Sequence, residues 1–506
     1  MDDLQMLFTG FGVLMTIENL TAVLVGCVLG LIVGAMPGIG CTAGVSLLLP
    51  LTFKFNPTTA IALLAAVYYA DMFGGSYSAI LLNIPGDTPA IMTTLDGYPM
   101  SLKGRAGKAL LTANLSSFFG GVIGMTILVF CAPMLAKFGL LFGPPEMTGL
   151  LLVAMTSISW LVGESPIKGL IATLIGIVIA CIGSDVITGS PRYHFGNIYL
   201  MGGIPFVPLV IGLAGFSKVI ALMSEKKTEL VGKETLTLRN SLLSRDEIIR
   251  MLPPTIRSGF VGTLVGIMPG CGATAAAFVG YAMQKKMFKS REELGTGALE
   301  GVAAAEGANN AAAAGSFAPL LGLGIPGSGT STVLLGGLML WGLNPGPLLF
   351  TNNPEFAWGC IASLFYANII ALVVGLLSLP WLIKILSVPI KVLIPVITVV
   401  CVVGSYSTSR SMYGVVVMFA AGLIGYIFDK FKYPMSPLLL AVVLSPMLET
   451  HIRRAFLLSR GRLGIFFNSY ISTIFMILFF IIVLAPLVRV VLRLVRGSSP
   501  QSSMEE

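Results

Sequence analysis

Charged side chains are scarce in this sequence. Only 11% of its 506 residues are Asp, Glu, Lys or Arg, whereas 55% are hydrophobic and the mean hydropathy is +0.91. Soluble domains carry about a quarter of their residues as charges. The shortage excludes a soluble enzyme and a nucleic-acid-binding protein, and it indicates an integral membrane protein in a lipid bilayer. With about 20 apolar residues per span, the chain holds enough for roughly ten to twelve transmembrane helices.

Residue types that support metal or redox chemistry are also sparse. The chain has two histidines, His194 and His451, which give little basis for a haem or a histidine-based metal centre. Its seven cysteines stand in apolar stretches without CxxC spacing, so we expect neither disulfides nor a zinc site. A GxxxxGK(S/T) phosphate-binding motif and clustered catalytic residues are both missing, so an enzyme is not expected. The opening residues, MDD, lack the basic segment of a cleaved signal peptide.

Two motifs rich in glycine and proline occur twice, in the same order. Residues 26–42, GCVLGLIVGAMPGIGCT, align without gaps with residues 258–274, SGFVGTLVGIMPGCGAT. GSYSAILLNIPGDTPA from Gly75 aligns with GSFAPLLGLGIPGSGTS from Gly315, with a one-residue gap. This internal similarity predicts two homologous halves.

The repeats and the composition divide the chain into six segments. Residues 1–19 are an N-terminal interfacial segment and residues 20–222 are the first transmembrane repeat. A polar, basic stretch at residues 223–254 is interpreted as a cytoplasmic linker, and residues 255–450 are the second repeat. Residues 451–490 are expected to form an extra C-terminal helix, followed by a cytoplasmic tail at residues 491–506.

Basic residues fall in opposite loops of the two halves. After the first motif, the first half has only Lys54, whereas the second half has Lys285, Lys286, Lys289 and Arg291. After the second motif the first half has Lys103, Arg105 and Lys108, whereas residues 342–355 have no basic residue. Because basic loops face the cytoplasm, this predicts an inverted-topology repeat, as in secondary transporters. The span count, however, places Arg453, Arg454, Arg460 and Arg462 on the outer face.

The first motif, MPGxG, is expected to break a helix at mid-membrane depth. Residues 258–268 would form about 16 Å of helix, which is half of a hydrocarbon core of about 30 Å. Free backbone groups at such a break can bind a cation or an anion. A kinked packing helix is the alternative, but recurrence in both halves favours an ion-coupling site with a re-entrant hairpin. Its predicted residues are Pro37, Gly38, Gly40, Thr42, Pro269, Gly270, Gly272 and Thr274.

The second motif, IPG, places hydroxyl and amide groups just after another helix break. A helix that starts there would direct free N–H groups at a carboxylate; the alternative is that the hydroxyls serve only as helix caps. The predicted substrate-binding residues are Ser76, Asn83, Gly86, Asp87, Thr88, Asn310, Gly327, Ser328, Gly329, Thr330 and Ser331.

Acidic residues within apolar sequence are costly in a membrane and usually functional. Asp87 and Glu306 are the strongest examples, and Asn309 and Asn310 follow Glu306 at helical spacing. Carboxylate and amide oxygens suit Na⁺, and a carboxylate alone can carry a proton. Asp87, Glu306, Asn309 and Asn310 therefore join the predicted ion-coupling residues, which are also the possible Na⁺ ligands. Asp71, Asp96 and Glu300 are weaker candidates, expected nearer a membrane interface.

Six segments resemble the large membrane subunit of tripartite tricarboxylate transporters, the TctA family. The resemblance implies an all-α transporter of elevator type in the bacterial cytoplasmic (inner) membrane, with two inverted repeats. It also implies a periplasmic solute-binding protein, a small membrane subunit of about four helices, a carboxylate substrate such as citrate, and a Na⁺ or H⁺ gradient, with no other cofactor. The segments are GxxPGxG at Gly34–Gly40, LLNIPGDTPAIMTTLDGYPM at Leu81–Met100, EGANNAAAAGSF at Glu306–Phe317, GIPGSGTSTVLLGGL at Gly324–Leu338, YPMSP at Tyr433–Pro437 and LExxxRRA at Leu448–Ala455.

Other transport classes remain as alternatives at this point. The linker could hide a coupling helix of an ATP-driven permease, and another permease for a different small organic anion would share the apolar composition. A channel can also use re-entrant loops. Inverted repeats with paired helix breaks favour ion-coupled transport over these alternatives.

Overall fold

The computed structural model describes residues 3–36, 38–161, 165–185, 187–224, 241–287, 293–381 and 390–495. Within these ranges the chain is almost entirely helical, and its strands are one pair of two residues each. This confirms the expected all-α membrane protein. Pro37, half of the predicted linker (residues 225–240) and most of the predicted tail lie outside these ranges.

The first half contains eight helices before a short extramembrane loop. The helices are α1 Asp3–Leu14, α2 Ile17–Ala35, α3 Gly40–Thr52, α4 Pro57–Leu82, α5 Ile91–Leu102, α6 Ala106–Gly139, α7 Pro144–Leu161 and α8 Pro166–Ala180. A 3₁₀ turn, Thr88–Ala90, leads into α5. The loop and the elements after it are β1 Gly183–Ser184, β2 Pro191–Arg192, α9 Ile198–Met201, α10 Phe206–Val210, a π-helical segment Ile211–Phe216 and α11 Ser217–Ser224.

The second half follows the same general order. Its helices are α12 Arg245–Ile267, α13 Gly272–Met287, α14 Leu299–Gly315, α15 Phe317–Leu323, α16 Gly329–Leu340, α17 Leu349–Asn352, α18 Pro354–Ser378, α19 Ile390–Ser409, α20 Met412–Lys430, α21 Met435–Ser459 and α22 Tyr470–Val495. Two further 3₁₀ turns are Leu379–Trp381 and Leu463–Phe467.

Two predicted boundaries fall inside helices. The linker was expected to reach residue 254, but α12 already begins at Arg245, where Ser244 and Glu247 form a reciprocal capping box. Pro253 and Pro254 are tolerated within this helix. The predicted boundary at residue 450 lies within α21, and the extra C-terminal helix is α22.

Eight helices of the described chain are long and apolar enough to cross a membrane. Shorter apolar helices accompany them, including α3 and α16, which begin directly after helix breaks. Large apolar side chains on the outer helices are exposed, as expected for contact with lipid: Leu24, Val28, Val373, Val396 and Leu423 are examples. The chain is therefore a multi-pass membrane protein.

Glycines allow α2 to pack closely against α4, and α12 against α14. A Cβ atom at Gly34 would collide with the carbonyl oxygen of Asp71 in α4. At the equivalent position of the second half, a Cβ at Gly266 would collide with the carbonyl oxygen of Ala312 in α14. The aligned motifs thus make the same helix contact in both halves, with α4 and α14 in the buried centre.

The loop after α8 is attached to α21 by a network of two acids and two arginines. Asp185 accepts hydrogen bonds from the guanidinium of Arg453 at 2.6 and 3.1 Å. Arg192 in β2 is 2.8 Å from Glu449, which also pairs with Arg453. Arg453, whose basic charge did not fit the loop pattern in the sequence, is therefore neutralised locally by Asp185 and Glu449.

Because of this network, we expect stability to depend on pH through Asp185. The Thr188 N–H and then the Arg453 guanidinium hold the pKa of the Asp185 carboxyl well below its usual range. A lowered folded-state pKa gives stability that is present above the unfolded pKa of about 4 and is lost as the pH falls further. At pH 7 the melting temperature of wild type should exceed that of Asp185→Asn, and this difference should shrink below about pH 4. If the two melting temperatures differed by the same amount at pH 7 and below about pH 4, this role of Asp185 would be contradicted.

Candidate functional site

The first motif forms a sharp helix break in each half. Gly38 and Gly40 have φ angles of +84° and +70°, and the aligned Gly270 and Gly272 have +83° and +63°. Residues with a side chain rarely adopt these angles, which explains the glycines. Helices α3 and α13 begin at Gly40 and Gly272, so the predicted break is present in both halves. Pro37 lies outside the described residues, whereas Pro269 is in the break.

The second motif ends one helix and starts the next in the same way in both halves. Asn83 and Gly324 occupy equivalent left-handed C-cap positions, with φ angles of +57° and +71°. Asp87 caps the following turn by accepting the Thr88 N–H at 2.7 Å. Ser328 caps α16 by accepting the Ser331 N–H at 3.1 Å, and Ser331 accepts the Ser328 N–H at 2.7 Å. Ser328 and Ser331 therefore do serve as helix caps.

The two motifs meet across the two halves of the chain. Thr42 at the start of α3 is hydrogen-bonded to Thr330 at the start of α16, with 3.0 Å between the hydroxyl oxygens. Thr274 at the start of α13 is hydrogen-bonded to Thr88, also at 3.0 Å. We call these the two threonine pairs. Each pair joins the first motif of one half to the second motif of the other, and so places a predicted ion-coupling residue beside a predicted substrate-binding residue.

This arrangement brings four helix N-termini together. They belong to α3, α13, α16 and the 3₁₀ turn that leads into α5. Free N–H groups and the helix dipoles make such ends attractive to anions. Thr88 is exposed and Thr42 and Thr274 are half-buried, whereas Thr330 is buried, so an anion can approach from the open side. Tyr68 supports the buried side, because its hydroxyl lies 3.1 Å from Ser328 Oγ and 3.2 Å from Ser316 Oγ.

Beside the threonine pairs lies a cluster formed by Cys41, Asp71 and Asp87. One oxygen of each carboxylate and the Cys41 sulfur are within 4.8 Å of one another. Asp71 is fully buried, and neither of its carboxylate oxygens has a hydrogen-bond partner in the described part of the chain. The prediction that Asp71 lies nearer an interface was wrong, because Asp71 is at the centre of α4, whose residues are almost all buried. In the sequence, the position of Asp71 within a long apolar run was the sign that it is buried.

The other two weaker candidates have structural roles. Asp96 Oδ1 accepts the backbone N–H groups of Gly295, Gly297 and Ala298 at 2.8, 2.9 and 2.7 Å, just before α14. Its other oxygen accepts the Tyr281 hydroxyl at 2.9 Å. Glu300 is ion-paired with Arg250, with 2.9 Å between Oε1 and Nε. Both carboxylates thus have strong partners, in contrast to Asp71.

Glu306 forms a separate polar group between α14, α5 and α6. Its carboxylate accepts hydrogen bonds from Thr93 and from Ser117, the latter at 3.1 Å. Asn310 Nδ2 donates to the Glu306 carbonyl at 3.4 Å, and Asn309 Nδ2 donates to the Met72 carbonyl in α4 at 3.5 Å. The Oδ1 atoms of both asparagines are buried and have no partner among the described residues. Asn309 therefore contacts α4 next to Asp71 through its amide nitrogen, while its amide oxygen has no partner among the described residues.

Five further predicted residues have local roles. Ser76 Oγ donates to the Phe73 carbonyl of its own helix at 2.7 Å, and the Asn83 side chain is exposed beyond the end of α4. Gly86 is buried against the Gly34 carbonyl and leaves no space for a Cβ. Gly327 and Gly329 flank Ser328, and Gly327 similarly approaches the Gly266 carbonyl.

The fold and this site define a polytopic α-helical membrane protein with paired helix breaks that favour an anion. The Tripartite tricarboxylate transporter TctA family matches residues 20–440. The chain belongs to this family, and it is a tripartite tricarboxylate transporter subunit rather than an enzyme.

Two proteins of Agrobacterium vitis are similar to the chain. One, described as the uncharacterized 52.8 kDa protein in TAR-I ttuC' 3'region, is 38% identical over 93% of this chain and 94% of its own length. The other, described as the uncharacterized protein in TAR-II ttuC' 3'region, is 38% identical over 42% of this chain and 87% of its own length. No solved structure gives a significant match to the chain.

Proposed function

We propose that this protein is the large membrane subunit of a binding-protein-dependent, ion-gradient-driven transporter that imports tri- or dicarboxylates such as citrate. Its partners are a periplasmic solute-binding protein and a small membrane subunit of about four helices, in the bacterial cytoplasmic membrane. The observation that carries the proposal is the meeting of four helix N-termini at the threonine pairs.

The geometry supports recognition of a carboxylate by backbone and hydroxyl donors. At the threonine pairs, the N–H groups at the helix starts and the threonine hydroxyls are donors that an anion can use. Such neutral donors bind an anion without a fixed salt bridge, which favours its release on the other side of the membrane. The asparagine-bearing helix α14 and the second motif of each half form the walls of this site.

A coupling cation, Na⁺ or H⁺, would supply the positive charge that these neutral donors lack. Asp71, Asp87 and Asn309 fit a cation, because they offer oxygen atoms and those of Asp71 and Asn309 have no hydrogen-bond partner among the described residues. The role of these residues is to hold charge beside the anion. In the proposed cycle, the core that carries both motifs moves as a rigid body, as in an elevator, and exposes the site alternately to the two sides.

We expect uptake by the reconstituted three-subunit system to need a cation gradient and the binding protein, but not ATP. The measurement is uptake of labelled citrate and of other di- and tricarboxylates into proteoliposomes under a Na⁺ or a pH gradient. Asp87→Asn and Asn310→Ala should each lower uptake at least about tenfold, a loss of about 1.4 kcal/mol. Glu355→Gln, at an exposed carboxylate in the first turn of α18, is the matched control and should retain uptake.

Two outcomes would contradict the proposal. Uptake that stops when ATP is depleted under a maintained gradient would indicate an ATP-driven permease. If both Asp87→Asn and Asn310→Ala left uptake and its Na⁺ or pH dependence unchanged, the site assignment would be wrong.

A further inference from the structure

Asp71 has a buried carboxylate whose negative charge needs compensation. It is fully buried in α4, and its two carboxylate oxygens have no hydrogen-bond partner among the described residues. An isolated carboxylate inside a protein is strongly destabilising unless a positive charge or hydrogen-bond donors compensate it. The buried Asp96 shows the contrast, since it receives three backbone N–H groups and a tyrosine hydroxyl. The described residues provide no such partner for Asp71, so its charge must be compensated by a bound proton or cation.

The groups around Asp71 supply more negative charge. Asp87 contributes a carboxylate oxygen within the same cluster. Helix α2 ends at Ala35, and its Gly34 packs against the Asp71 backbone, so the negative end of the α2 dipole lies next to Asp71. Asn309, hydrogen-bonded to Met72, adds an unpaired amide oxygen. These oxygens are the ligand types of a hard cation.

The sulfur of the cluster has a different role. Cys41 Sγ donates to the Tyr68 carbonyl, 3.7 Å away, so its thiol is used as a hydrogen-bond donor. A metal that prefers thiolate ligands is therefore not favoured. A proton would be shared by two oxygens and would leave the Asn309 oxygen unpaired, whereas a hard metal cation accepts several oxygens.

The second half has the same scaffold without these charges. Gly34 contacts Asp71, and the equivalent Gly266 contacts Ala312. The cap residue Asp87 corresponds to Ser328, and in the alignment Cys41 corresponds to Ala273. The halves are thus alike in backbone, but only the first half has the two carboxylates and the cysteine at these positions.

We propose that Asp71 and Asp87, with the Asn309 amide and the end of α2, bind one sodium ion, and that this site exists only in the first half. The inference rests on the proposed function and deepens it, because it assigns cation binding to the first half and leaves the two threonine pairs to the carboxylate. It also makes Asp71, instead of Glu306, the main acidic residue that holds the coupling ion.

The test is Na⁺-dependent thermal unfolding of the purified full chain, in NaCl or KCl at equal ionic strength. Wild type should be stabilised by Na⁺ over K⁺, because an ion that binds only the folded state stabilises it. Asp71→Ala, which introduces the residue of the second half, should weaken the apparent Na⁺ affinity at least about tenfold, or about 1.4 kcal/mol. Asp71→Asn keeps the side-chain shape, and it should show the same loss if the alanine variant does not fold.

Three further variants test whether the Na⁺ effect depends specifically on Asp71. Glu355→Gln makes the same carboxylate-to-amide change at an exposed position in the first turn of α18 and should keep the Na⁺ effect. Cys41→Ser should also keep it, because the sulfur is not a ligand in this proposal. Glu306→Gln removes a buried carboxylate outside the cluster and should leave the Na⁺ effect in place.

Equal stability of wild type in Na⁺ and K⁺ would overturn the proposal. So would retention of the Na⁺ effect in Asp71→Asn, or its loss in Glu306→Gln with Asp71→Asn unaffected. Carboxylate uptake is measured separately in proteoliposomes. Uptake with an unchanged Na⁺ effect in Asp71→Asn would refute this site but not the proposed function, and Na⁺ binding without uptake of any tested carboxylate would refute the function but not the site.

Discussion

Replacing Thr42 and Thr274 together with valine should reduce carboxylate uptake about 100-fold while the protein remains folded. Valine keeps the shape of threonine but removes one hydroxyl from each threonine pair. A hydrogen bond lost from a substrate or from its neighbouring donor costs about 1–1.5 kcal/mol, which corresponds to roughly tenfold for each site. Initial rates of citrate uptake over a concentration series in proteoliposomes would measure the effect.

A matched control is available on the surface of α6. The Thr126 hydroxyl donates to the Val122 carbonyl of its own helix at 2.7 Å, so Thr126→Val makes the same change away from the site. Size-exclusion profiles and melting temperatures of both variants would show that any loss of uptake is not a loss of folding. If the double variant transported like Thr126→Val, the threonine pairs would not lie on the transport path.

Gly34→Val should prevent α2 from packing against α4 and leave little folded protein. A Cβ at Gly34 would collide with the Asp71 carbonyl oxygen, which belongs to the backbone of a buried helix and cannot rotate away. Overpacking of this kind costs about 3 kcal/mol or more. The measurement is the yield of monodisperse protein in detergent and its melting temperature.

Gly12→Val is the control for helix propensity. Gly12 is also within a helix, but a Cβ there meets nothing within 4 Å. It should behave like wild type, whereas Gly266→Val, which collides with the Ala312 carbonyl, should fail like Gly34→Val. Similar yields for Gly34→Val and Gly12→Val would show that the close helix approach is not required.

The local features of this protein could be predicted from the sequence because proline and glycine act on their own backbone. The MPGxG and IPG motifs break helices at the expected residues, and Asp87 and Ser328 start the next turns. For the same reason, the sequence also indicated that the serine hydroxyls could act as helix caps. Helix starts, ends and breaks depend on residues within one or two turns.

Contacts between distant residues could not be predicted in this way. The partners of Thr42 and Thr88 lie 288 and 186 residues away, and their identity depends on how the two halves pack. Likewise, the sequence ranked Asp71 with Asp96 and Glu300, although only Asp71 has both oxygens unpaired in the described structure. The difference arises from the loop before α14 and from Arg250, which supply partners to Asp96 and Glu300.

The two threonine pairs also bear on the origin of the chain. Each pair takes one residue from each half, so a single half contains no complete pair. An ancestor with one repeat would have needed two copies of itself to assemble the site. In one fused chain the two copies can differ, and here one half has acidic residues where the other has alanine and serine. An assembly of identical subunits cannot make that change in one copy alone.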